Sequence, residues 1–120
     1  MNWEHFQLID LSNCTVIRAT DGAVLNGWCE IGSILTGKQR VWQGYKAQLE
    51  VDDHTLSARD PHNLIDSLQK LGAQCEALGY QLRVVGLLPG FSESGMSANS
   101  GSGYYDGKRV DMLDRVESDA

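Results

Sequence analysis

The spacing of apolar and polar side chains predicts a β-rich chain carrying one helix. Residues 14–20 are rich in β-branched side chains and end at Asp21-Gly22, a dipeptide suited to a tight hairpin turn. The return segment, residues 23–31, carries Val24, Trp28 and Ile31, and its Asn26-Gly27 interruption marks a bulge or a shorter strand. Alternation is clearest over residues 39–51, where Val41, Tyr45, Ala47, Leu49 and Val51 share one face and Arg40, Lys46, Gln48 and Glu50 the other. That pattern is a half-buried strand of an antiparallel sheet. Asp52-Asp53-His54 turns it into a short paired return at residues 55–58.

A helix is predicted over residues 61–78. Asp60 offers an acceptor to first-turn amides, Pro61 sits where its missing donor costs nothing, and Gly79 supplies a left-handed stop. Leu64, Leu68, Leu71, Cys75 and Leu78 form one stripe, opposite Asp66, Gln69, Lys70, Gln74 and Glu76. The apolar run of residues 80–88 reads as a strand covered on both sides or central in its sheet. Residues 90–103 then form a long loop dominated by Gly, Ser and Asn, a length more often functional or mobile than idle. A turn at Asp106-Gly107 and a last strand at residues 109–113 follow, and residues 115–120 are expected to fray. The fold class is α+β: a single domain, mostly antiparallel sheet, with the one main helix packed on one face.

Composition narrows the chemistry. The chain has 120 residues, 16 acidic against 10 basic, and a formal charge of -6. That is one domain with enough surface to bury a core, and the wrong sign for gripping nucleic acid through its phosphates. An acidic protein suits a basic partner, because complementary fields speed encounter; solubility alone is the plainer explanation. Cys14, Cys29 and Cys75 are odd in number and widely spaced, so no disulfide framework is expected. The first residues lack a signal-peptide pattern and no stretch approaches a membrane span, which points to a reducing cytoplasm.

No catalytic or cofactor motif emerges. His5, His54 and His62 have no metal-ligand spacing, and the flanks of Ser92 and Ser94 do not make a nucleophile elbow. Cys14 and Cys75 lie where a small hydrophobe is the default. Gly101, Gly103 and Gly107 are spaced one residue too far for a dinucleotide fingerprint, and no helix follows them. The expectation is therefore a protein that is not an enzyme and needs no metal or cofactor. What remains is aromatics amid acids: Trp28, Trp42, Phe91, Met96, Tyr104 and Tyr105 interleaved with Glu30, Asp52, Asp53, Glu93, Asp106 and Asp111. Trp28 and Trp42 fit equally well as residues capping the core beneath a sheet edge.

A small acidic α/β chain without catalytic motifs, with a long loop and acids beside aromatics, resembles the immunity proteins of bacterial contact-dependent growth inhibition systems. The segments Leu71-Gly72, Leu78-Gly79-Tyr80, residues 82–86 and Ser94-Gly95-Met96 are also similar to a group of small bacterial proteins, over about the second half of the chain. The resemblance implies tight binding of a cognate toxin domain, often a nuclease, and transfers no residue by position. On this reading Trp42, Asp52, Asp53, Glu93, Tyr104, Tyr105, Asp106 and Asp111 supply the partner-binding surface, in the cytoplasm, with no direct contact to nucleic acid or membrane. A competing expectation is a small-molecule binder or enzyme subunit with residues 90–103 as a lid. A third is a homodimer paired through an exposed sheet edge.

Overall fold

The computed structural model describes residues 3–96 and 98–116. The strands are β1 (Glu4–Arg18), β2 (Val24–Thr36), β3 (Val41–Val51), β4 (His54–Asp60), β5 (Tyr80–Arg83), β6 (Ser102–Tyr105) and β7 (Lys108–Asp111); the helix α1 is Leu64–Ala77. One antiparallel sheet in the order β4-β3-β2-β1-β5 carries α1 on one face, and a two-stranded β6-β7 ribbon stands beside it. The α+β reading, with one main helix on a mostly antiparallel sheet, is therefore the observed architecture.

The β1-β2 hairpin closes where its turn chemistry requires. Asp21 accepts hydrogen bonds from the Ala23 amide at 3.1 Å and the Arg18 guanidinium at 2.7 Å, while Gly22 takes φ of 68°. Both strands run much further than their β-branched centres suggest, because β1 begins at Glu4, where polar and apolar residues mix on a half-exposed surface. Asn26-Gly27 neither bulges nor breaks β2. Gly27 lies opposite Cys14, in a place where an added Cβ would come within 3.0 Å of Leu49 and 3.1 Å of Val16, so its role is close packing.

The bulges lie elsewhere. Ile9 is the extra residue of β1 between Leu8 and Asp10, and Gln43 is the extra residue of β3 between Trp42 and Gly44. The second bulge moves Val41 off the face of Tyr45, Ala47, Leu49 and Val51, so it is exposed rather than sharing their burial. Together they coil the sheet until the Phe6 ring lies over Gly32 and Arg59 of β4 pairs with Glu4 of β1 through Nη2 at 2.7 Å.

The core forms between the other face and α1: Cys14, Val16, Cys29, Ile31, Ala47 and Leu49 meet Leu64, Leu68, Leu71 and Cys75, closed by Met112 and Leu113. The helix starts at Leu64, three residues later than expected. Asp60 is still a ladder residue of β4, paired with Tyr45, so the chain needs the intervening residues to leave the sheet. Its carboxylate accepts the amides of His62 at 2.9 Å and Asn63 at 2.7 Å, and Asn99 Oδ1 accepts the Leu64 amide at 2.8 Å. Gly79 is the left-handed stop at φ of 85°. Leu78 lies past the last turn and is exposed, unlike the rest of its stripe.

Lys70 and the two amides hold the Asp60 carboxyl at about 2, below its ordinary 3.8. The unfolded chain therefore takes up that proton first, so this contribution to stability is complete above pH 4 and lost as pH falls towards 2. Asp21, held at about 2 chiefly by the Arg18 hydrogen bond, adds a loss in the same window. Urea melts from pH 7 to pH 2 should show it, and Asp60→Asn should flatten part of the drop; an unchanged profile would sink this assignment.

Residues 80–88 do not form one strand. β5 stops at Arg83 and residues 85–87 make a 3-10 turn, because an added Cβ at Gly86 would stand 2.4 Å from Met112 Cγ and the Gly86 amide donates to the Met112 carbonyl at 2.8 Å. The described residues of 90–103 are tethered: Ser92 exchanges hydrogen bonds of 3.0 and 2.8 Å with Tyr104, Asn99 caps the helix, and Gly101 lies on Ile9. The last strand is β7 (Lys108–Asp111), and Met112 and Leu113 after it are buried. Arg115 forms an antiparallel bridge with Val84, while residues 117–120 of the expected frayed tail lie outside the described residues.

Candidate partner-binding surface

One face of the sheet is free of the helix. Strand alternation puts Trp28 and Glu30 of β2 on it, with Cys29 and Ile31 pointing into the core. Trp28 lies between Asn13 of β1 and Glu50 of β3, and Glu30 between Leu11 and Gln48. Gln48 Nε2 donates to Glu30 Oε1, which fixes that carboxylate beside the indole's strand. Leu8 and Leu11 continue the row along β1, 44% and 40% exposed. The result is an apolar strip of Leu8, Leu11 and half-buried Trp28, edged by Glu30 and Glu50. At the far end Phe6 covers Gly32, and the Lys46 ammonium stands 5.9 Å from the Phe6 ring centre.

The eight residues expected to bind a partner fall into three places. Glu93, Tyr104, Tyr105, Asp106 and Asp111 come together on the β6-β7 ribbon and the segment bridged to it. Glu93 accepts the Asn99 amide at 3.0 Å, so its carboxylate organises the loop. Tyr104 is exposed, and the Tyr105 ring packs on Gly90. Asp106 takes φ of 53° in the turn with Gly107. Asp111 has its pKa raised by burial and by the charges of Asp114 and Asp10, so three carboxylates converge there.

Asp52 and Asp53 do not join that group. Asp52 sits at the β3-β4 turn, where it accepts hydrogen bonds from Arg18 Nη1 at 3.3 Å and the Tyr80 hydroxyl at 3.0 Å and shares the Arg18 charge with Asp21. The same bond is the main cause that raises the Tyr80 pKa. Asp53 is exposed beside it. Trp42 lies at the other end of β3, roughly 30 Å away at a strand's rise per residue, with its ring edge-on to Tyr45 at a centroid distance of 5.3 Å. Sequence reasoning passed over Leu8, Leu11 and Glu50, although the alternation of residues 28–31 already separates Trp28 and Glu30 from Cys29 and Ile31.

Two shallow grooves open on the helix side. One, of about 410 Å³, runs between Gln69, Ala73 and β5; the other, of about 950 Å³, lies between Arg83, Tyr105, Lys108 and Arg115. Among the described residues of 90–103, only Gly90 lines the larger groove. Among the described residues no three metal-ligating side chains converge on one point, and no helix is long and apolar enough to cross a membrane. Comparison with protein families, with curated proteins and with solved structures finds no match for this chain.

Proposed function

We propose that this protein acts by binding, and that the helix-free face of its sheet captures a basic protein partner in the manner of an immunity protein neutralising a toxin domain. The observation that carries this reading is the strip of Leu8, Leu11 and Trp28 edged by Glu30 and Glu50 in a chain of formal charge -6. A half-buried tryptophan ringed by polar groups is the usual anatomy of an energetic centre at an interface. The flanking acids favour partners with a basic surface, and a nuclease domain must present one to its substrate. The reading places the protein in a reducing cytoplasm, in keeping with three buried free thiols.

The test begins with capture from the native host, followed by direct titration of the purified partner and co-expression in cells that the partner kills. Rescue of growth, with an affinity that falls steeply as salt rises, is the expected result. If no protein binds and a metabolite raises the melting temperature instead, the grooves become the site and the charge reflects solubility.

A further inference from the structure

We propose that the outer edge of β4 pairs with the same edge of a second copy, antiparallel and centred on Ser57, to join two sheets into one. This edge adjoins the helix-free face, where Thr55 pairs with Glu50, but its backbone groups are distinct from the Leu8, Leu11 and Trp28 strip. Val51 and His54 flank a two-residue turn and form the first hydrogen-bonded pair of the β3-β4 ladder. The amides and carbonyls of Thr55, Ser57 and Arg59 therefore point away from β3. Lys70 Nζ donates to the Arg59 carbonyl at 3.3 Å, which confirms that direction and leaves the carbonyl a second lone pair.

Open edges are normally blunted by brevity, bulges, proline or cover. β4 is seven residues long, against four for β5, its ladder with β3 runs without a register shift, and Thr55, Ser57 and Arg59 are exposed, with Lys70 reaching over the edge at the Arg59 carbonyl. The chemistry of the strand selects its own copy. About a two-fold axis at Ser57, Thr55 meets the partner copy's Arg59, and each such pair exchanges both backbone hydrogen bonds. On the helix side Leu56 then lies opposite Ala58, so apolar meets apolar. Read in either direction, the strand complements itself.

Sedimentation equilibrium of the full chain from 1 to about 300 μM should show a monomer–dimer equilibrium at the concentrations typical of small edge contacts. A monomer throughout that range overturns the proposal. Ser57→Pro removes an amide that points away from β3, and it should weaken dimerisation about tenfold or more, as expected for two lost hydrogen bonds and a clash; an unchanged dimer overturns the edge assignment. Should that variant fail to fold, cysteine pairs read the same register. Ser57→Cys should cross-link to a dimer under a mild thiol oxidant such as diamide, because the two Cα atoms face each other. Thr55→Cys should not, its two copies being roughly 13 Å apart along the strands, beyond disulfide reach. Equal cross-linking at both positions, or at neither, overturns the register.

Discussion

Gly32→Ala is expected to destabilise the protein by about 3 kcal/mol or more, a large fraction of the total stability of a small domain. An added Cβ would stand 2.2 Å from the Gln7 carbonyl oxygen and 2.8 Å from the Phe6 ring. The first neighbour is backbone of the paired strand and cannot swing away, so relief requires β1 to part from β2 where the Ile9 bulge has already bent it. The Glu4 to Arg59 ion pair lies beyond the same bend and would be lost with it. Thermal and urea denaturation followed by tryptophan fluorescence would measure the loss. Gly95→Ala is the control, since none of the described residues lies within 4 Å of its added Cβ; it should shift stability by less than about 0.5 kcal/mol. Equal behaviour of the two variants would mean that the coil of the sheet is not built on Gly32.

Trp28→Ala should weaken partner binding by about 2 kcal/mol, roughly thirtyfold, if the helix-free face is the interface. Most of that loss should appear in the dissociation rate, because truncating an aromatic anchor leaves the approach of the two proteins unchanged. Glu30→Lys combined with Glu50→Lys should act the other way, slowing association about tenfold at low salt and flattening its dependence on ionic strength. Circular dichroism of each variant separates these effects from a loss of fold. The matched control is Asp106→Lys with Asp111→Lys on the β6-β7 ribbon. A partner indifferent to Trp28 and sensitive to the ribbon would return the interface to the residues that the sequence singled out, and the proposed face would be abandoned.

Much of the fold was legible where one local cause sufficed. Asp21-Gly22 and Asp106-Gly107 specify their turns because aspartate and glycine tolerate the backbone that a tight hairpin needs. The stripe from Leu64 to Cys75 specifies a helix and its buried side, and Gly79 specifies the stop. Reading failed where two distant segments decide together. Asn26-Gly27 looks like an interruption, yet Gly27 is required by the side chains of Val16 and Leu49. Gly86 sits in an apolar run that reads as strand, yet Met112, far along the chain, turns the backbone there.

The candidate surface divides in the same way. Alternation in β2 sets Trp28 and Glu30 on the side opposite Cys29 and Ile31, because side chains of a strand point to alternate faces. That much belongs to the sequence, along with the charge, the helix and the hairpin turns. Which of the two faces receives the helix, which acids are matched, and which residues become neighbours were decided by the tertiary structure alone. Asp52 bonds Arg18, 34 positions away, and Glu4 pairs with Arg59, 55 positions away. Such pairings follow from strand register and sheet coil, which depend on contacts across the whole chain, whereas periodicity and turn propensity act within a few residues.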